Sequence, residues 1–339
     1  GLTLGFGLGV VGALLVGGAV AAHTFPLFLA GIFIVGASRG FTDLSRYAAA
    51  EMHPVAERGR AISLVVLGGT VGAVAGPALV GPAGQAAQAF GLDQLAGPWF
   101  SSAGLFLVVG LVLAVFLRPD PSQLARQIGA PADGPADLPA AAPLRAWGHL
   151  LREPRVLTAL SSLVLGQMVM VMLMSMTALH MRGHQHSLTD ISLVIASHTL
   201  GMYGPAVISG RLVDHWGRAP VITLGALLLV AACVLAPLSP DVVPIGFALF
   251  LLGLGWNFCY VAGATLLTDV LTPAERSRGQ GTTDLLINLA SAGGSLGSGV
   301  LFASLGYGLI AALGLGLSLV PLALAAALWL RRPAVLTAS

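Results

Sequence analysis

The chain has 339 residues, of which 56% are hydrophobic and only 9% charged, with a mean hydropathy of +0.89. Such a composition excludes an ordinary soluble globular domain. All 16 basic residues are arginines, and a net charge of +2 from arginines spread over separate loops gives no indication of a nucleic-acid-binding surface. Without a lysine there is no G-x-x-x-x-G-K-[ST] phosphate loop, which excludes ATP-driven pumping by this chain.

Ten apolar stretches are long enough to cross a hydrocarbon core, which takes about 20 helical residues. They lie near 1–22, 26–51, 59–84, 95–117, 156–182, 189–211, 219–238, 243–270, 277–304 and 307–330. A spanning backbone must satisfy its own hydrogen bonds, so these are read as helices of an all-α integral membrane protein. Arg58 and Arg60, the five arginines of 118–155, Arg211 and Arg218, Arg276 and Arg278, and Arg331 and Arg332 fall on alternate connections. The positive-inside rule places those connections and the C-terminus in the cytoplasm, across a plasma membrane. Gly1 enters an apolar run directly, with no charged n-region, so no signal peptide is read and the chain is expected to begin within a longer protein.

In the second span Arg39, Asp43 and Arg46 share one helix face at i, i+4 and i+7. Ionisable groups at membrane depth are costly. Arg39 is the first candidate for steering a proton or binding an anion, against a structural Arg39–Asp43 pair. The third span carries Gly72, Gly76, Pro77 and Gly81, where the glycines flatten a face for close packing and the proline bends the helix.

Residues 118–155 form the only long connection, a Pro/Ala/Gly-rich cytoplasmic linker ending in a short interfacial helix at Leu144–Leu151. This divides the chain into a four-helix part (1–117), the linker, a six-helix part (156–330) and a tail (331–339). In the fifth span Gln167 offers a polar contact. Met168, Met170, Met172, Met174, Met176 and Met181 suit either an adaptable pocket or, for at least half of them, lipid-facing filler. His180, His184 and His186 show no repeating ligand spacing, and neither a metal nor any cofactor is expected. His198 in the sixth span titrates in the useful range, with a hydrogen-bonded packing histidine as the rival role. Gly201, Gly204 and Pro205 allow a bend beside it.

Ser209–Arg218 reads as a tight turn between two spans, its glycines turning the backbone and Asp214 capping the next helix. Cys233 and Cys259 are expected as buried small hydrophobes. Gly253-x-Gly255 is packing. Trp256, Asn257 and Tyr260 offer hydrogen bonds and a flat face to an aromatic or cationic guest. Asp284, one turn before Asn288, serves as a proton acceptor or as half of a cytoplasmic gate. Asp269 and Glu275 are expected to be structural. Pro54–Arg60 and Pro273–Gly279 share a Pro/Ala-Glu-Arg pattern, which points to two repeated halves.

Written as G-x-L-x-D-x-x-G-R, Gly210–Arg218 resembles the cytoplasmic-loop motif of the major facilitator superfamily, in its second-half copy. Gly72–Gly81 resembles the G-x-x-x-G-P-x-x-G-G motif of the drug–proton antiporter branch, with Val80 replacing one glycine. That branch places an arginine near the position of Gly31, and this chain does not. The resemblance implies a major facilitator fold in two pseudo-symmetric halves, with ten of twelve helices present and two expected ahead of Gly1. It also implies that the span around Trp256 lines the cavity. The implied function is a monomeric secondary transporter whose partners are small molecules, protons and the bilayer, exporting amphipathic compounds by alternating access. Gly210, Asp214, Gly217 and Arg218 would then latch the cytoplasmic side against the helix beginning at Gly59. Substrate and proton would use Arg39, Asp43, Gln167, His198, Trp256, Asn257, Tyr260 and Asp284. Uptake of a small anionic nutrient at Arg39, and a transport-inactive sensor or scaffold, are the alternatives. An enzyme is not expected, because no nucleophile–base pair is readable.

Overall fold

The computed structural model describes residues 2–42, 58–116, 145 and 147–331, and regular structure among them is helical throughout. The chain divides into two compact units, Gly1–Leu138 and Pro139–Ser339.

In the first unit, α1 (Leu2–Ala21), α2 (Phe25–Thr42), α3 (Arg58–Ala89) and α4 (Gly97–Phe116) follow one another, with a 3-10 turn at Gln94–Ala96 before α4. The side chain of Asp93 caps that turn by accepting the Leu95 N–H at 2.8 Å. α1 packs on α2 and α4, and α3 on α4. Apolar burial gives little drive for helix association in lipid, so close backbone approach decides the contacts. Gly12 and Gly31 provide it between α1 and α2: a Cβ on Gly31 would lie 2.6 Å from Val16 Cγ2. Gly72 and Gly76, expected to do the same for α3, have no described atom within 4 Å of where a Cβ would be. Gly97 packs closely instead, against the backbone of Ala83. α3 stays helical through both Pro77 and Pro82.

The second unit begins with a single turn at Trp147–Leu150, shorter than the interfacial helix expected at Leu144–Leu151. Then come α5 (Pro154–Gly183), α6 (Leu188–Tyr203), α7 (Ala206–Trp216), α8 (Arg218–Leu235), α9 (Val242–Val270) and α10 (Pro273–Leu330). α9 is the hub, packed against α5, α6 and α8. One helix can take three close neighbours because it carries glycine on each approach. Gly263 faces Ser162 of α5, Gly253 faces the His198 carbonyl of α6, and Gly255 lies against Gly225 of α8. The methionines of α5 fill this core: Met170, Met172, Met176 and Met181 are buried, with Met168 and Met174 packed against them. Met170, Met172, Met176 and Met181 are therefore not lipid-facing filler, while Met168 and Met174 are half-buried. Cys233 and Cys259 are buried free thiols.

One expected boundary moves, and the connection expected between the spans 277–304 and 307–330 is found at Gly306. The sixth span is not one helix but α6 and α7, bent by 41° where Gly204 and Pro205 interrupt the ladder. α10 is helical over 58 residues, about 87 Å if straight, far beyond a bilayer core. It breaks at Gly306, whose φ of 76° and ψ of −175° lie outside helical space. Among the described residues six helices are long and apolar enough to span, or seven with α6 and α7 taken as one. That count falls short of the ten spans expected; it takes 278–330 as one run, and Phe25–Gly40 is too short for it.

Candidate functional site

The arginine-rich end of the second unit is held by two charged contacts. α7 continues in helical form through Asp214 to Trp216, and the chain turns at Gly217 alone, with φ 90° and ψ 171°, before α8 starts at Arg218. This corrects the sequence reading of Ser209–Arg218 as a turn. Gly210 is an ordinary helical residue with no described atom within 4 Å of where a Cβ would be, and Asp214 sits exposed near the end of α7 without capping α8, which has no side-chain cap. Gly217 is the position that requires glycine. Arg218 Nε donates to Asp269 Oδ2 at 2.8 Å, tying the start of α8 to the end of α9.

The second contact is denser. Glu275 closes a capping box with Thr272 at the start of α10. Its carboxylate also accepts from Arg145 Nε at 2.9 Å and Nη2 at 2.7 Å, while Nη2 donates to the Val270 carbonyl at 2.9 Å. The Arg145 hydrogen bonds hold the Glu275 carboxyl well below the usual carboxylate range, helped by backbone N–H donors and opposed by burial. The same bond raises the Arg145 guanidinium. The structural role expected of Asp269 and Glu275 is the one these contacts describe. Arg145 was missed, although the Thr272-x-x-Glu275 spacing was a readable cap signal.

Deeper in the unit, α5, α9 and α10 bring three side chains into one relay. The Trp256 indole N–H donates to Gln167 Oε1 at 2.7 Å, and Gln167 Nε2 donates to Ser291 Oγ at 3.0 Å. The Ser291 hydroxyl in turn donates to the Ile287 carbonyl at 2.9 Å. Every polar atom used has a partner of the right sense, so the indole and amide planes are fixed. Tyr260, one turn beyond Trp256, stacks on it with ring centroids 5.0 Å apart and planes 23° from parallel. Tyr203 of α6 meets the same indole edge-on at 6.4 Å. Tyr260 is 38% exposed and Trp256 half-buried, so the pair presents an open aromatic face. On α10, Asp284, Asn288 and Ser291 stand at i, i+4 and i+7, a polar stripe along one face that ends in the relay. Asp284 and Asn288 are exposed, and Asn288 Nδ2 donates to the Asp284 backbone carbonyl at 2.8 Å.

Thus Gln167, Trp256 and Tyr260 come together, joined by Ser291 and Tyr203, which the sequence reading passed over. Asn257 does not join them. It is buried, donates to the Met202 carbonyl at 2.7 Å and accepts from the Ser209 hydroxyl, so it binds up the backbone at the α6–α7 bend. His198 is wholly buried in the α6–α9 contact. Its Nδ1 donates to the Leu249 carbonyl at 2.9 Å, while Nε2 has no partner among the described residues. Arg39 is exposed in the last described turn of α2, and Asp43 and Arg46 lie outside the described residues. At Gly31 a side chain would meet Val16 of α1, since a Cβ there would lie 2.6 Å from Val16 Cγ2. At the other end of α5, His180 stacks on Tyr307 at 4.4 Å and meets His184 edge-on at 4.5 Å.

Comparison with known proteins agrees with this architecture. The profile of the Major Facilitator Superfamily matches residues 1–185 and 167–338. The chain is 38% identical over 329 residues to the uncharacterized MFS-type transporter YdeG of Bacillus subtilis, covering 95% of this chain and 75% of that protein. It is 30% identical over 308 residues to the riboflavin transporter RfnT of Brucella anthropi, covering 90% and 73%. Its fold resembles the crystal structure of a bacterial homolog of the human lysosomal transporter Spinster, with a TM-score of 0.61 at 18% identity over 97% of this chain and 81% of that one. The chain belongs to the Major Facilitator Superfamily and is a membrane transporter, not an enzyme.

Proposed function

We propose that the chain exports small, planar, amphipathic compounds in exchange for protons, by alternating access in the plasma membrane, with one copy as the transporting unit. The observation that carries this reading is the fixed Gln167–Trp256–Ser291 relay with Tyr260 stacked on the indole. A rigid π face attracts a flat or cationic guest, and the amide beside it orients one polar edge. Asp284, on the same α10 stripe, takes the proton. A guest cation and a proton compete for one carboxylate, which couples the release of one to the binding of the other. Export, with the arginine-bearing loops and the C-terminus cytoplasmic, is supported by the antiporter-like Gly72–Gly81 stretch and by arginine placement.

A second reading, uptake of a planar heteroaromatic nutrient, is favoured by the same stacked pair and by the 30% identity to a riboflavin transporter. Fluorescence titration of the purified protein with ethidium and with riboflavin tests the platform common to both. Trp256→Ala is expected to weaken whichever ligand binds by about fivefold, with Trp256→Phe intermediate. Unchanged affinity for both ligands in Trp256→Ala and in Gln167→Ala would overturn the assignment.

A further inference from the structure

Outside the relay, two concavities lie at the arginine-rich end of the second unit. The first, about 370 Å³, has Arg155, Arg218 and Asp269 on its wall with Leu266 and Leu328 behind them. Asp269 takes only Nε of Arg218, leaving the terminal guanidinium nitrogens without a described acceptor. Arg155 is exposed and makes no ion pair with any described residue. The cavity therefore carries two guanidinium charges against one carboxylate. The second concavity, about 520 Å³, is apolar, lined by Leu224, Leu227, Trp216 and Trp329 among others. Its one hydroxyl, on Thr223, is already spent on the Ala219 carbonyl.

The two lie at the same ends of α8 and α10: Ala219 and Leu328 line the first, and their chain neighbours Pro220 and Trp329 line the second. From Pro220 to Leu227 the groove runs roughly 10 Å down α8. Trp216 and Trp329 are about half exposed, the placement of indoles at headgroup depth. A charged cup at that depth with an apolar groove beside it matches a phosphate joined to an acyl chain. A free anion would leave the groove unused, and a zwitterionic lipid would bring no net charge to offset Arg155.

We propose that this is a binding site for an anionic phospholipid of the adjoining leaflet, with its phosphate at Arg155 and Arg218 and one acyl chain between Trp216 and Trp329. Bound there, the lipid adds an acceptor to the Arg218 guanidinium that ties α8 to α9.

Native mass spectrometry of the intact protein, released from micelles holding equal amounts of phosphatidylglycerol and phosphatidylcholine, tests the site. The wild type should retain phosphatidylglycerol in preference. Arg155→Gln should lower that retention about fivefold, Arg155→Lys should keep most of it, and Trp329→Ala should lower retention of both lipids. Thermal melts in phosphatidylcholine alone check that each variant is folded. Equal retention of the two lipids, or a phosphatidylglycerol preference unchanged in folded Arg155→Gln, overturns the proposal. So does a lipid-free dimer, which would give the groove to a second copy.

Discussion

Trp256 and Asn257 are neighbours in sequence and partners in the sequence reading, yet they serve different ends. Successive helical residues point about 100° apart, so Asn257 turns to the α6–α7 bend while Trp256 and Tyr260, four apart, share a face. Rare polar and aromatic side chains in apolar helices were legible as candidates. Which of them meet was not, because that depends on the rotation of each helix. Glu275 shows the same limit: its charge was visible, but its partner Arg145 lies 130 residues away. The folded carboxyl titrates well below its unfolded value, so its stabilisation is complete above the unfolded value of about 4.3 and is lost progressively as pH falls from there through the lower folded value. Glu275→Gln should lower the melting temperature at neutral pH, with the gap to wild type closing in acid below about pH 4. An unchanged melt at neutral pH, or a gap that persists in acid, would remove the contact from the account of stability.

Among elements, α9 shows how glycine placement in a uniformly apolar helix sets its neighbours. A Cβ on Gly255 would lie 2.7 Å from the Gly225 carbonyl oxygen, whereas one on Gly316 of α10 meets nothing within 4 Å. Gly255→Ala should therefore cost about 1–3 kcal/mol through overpacking. Gly316→Ala should be neutral or stabilising, since alanine is the better helix former by about 1 kcal/mol. Thermal unfolding in detergent compares them, and equal shifts would contradict the packing. Length and uniform apolarity made the spans readable, and the break at Gly204–Pro205 had a signal in its residues. The loop motif was misplaced because α7 continues through Ser209–Trp216, where only Arg211 and Leu212 are strong helix formers, so the turn contracts to Gly217. The break at Gly306 was legible as well, since it falls at the connection expected between the spans 277–304 and 307–330.

For the whole molecule, the transporter class was legible from composition, arginine placement and one loop motif, because the bilayer constrains all three. Substrate and direction were not, since they depend on a few side chains whose grouping the sequence does not encode locally. In the proposed cycle Asp214, exposed at the end of α7, acts on the rate of interconversion and not on the ligand. Asp214→Asn is expected to slow ethidium transport severalfold while leaving its binding affinity unchanged. An unaltered transport rate would sink that role. The most direct test of the central claim is ethidium flux into everted membrane vesicles bearing the intact protein, energised by an acidic interior. Protein-dependent accumulation that collapses with the pH gradient, accompanied by proton efflux when ethidium is added, is the expected result. Ethidium flux that ignores the gradient, or no proton movement on addition of the dye, would contradict proton-coupled export.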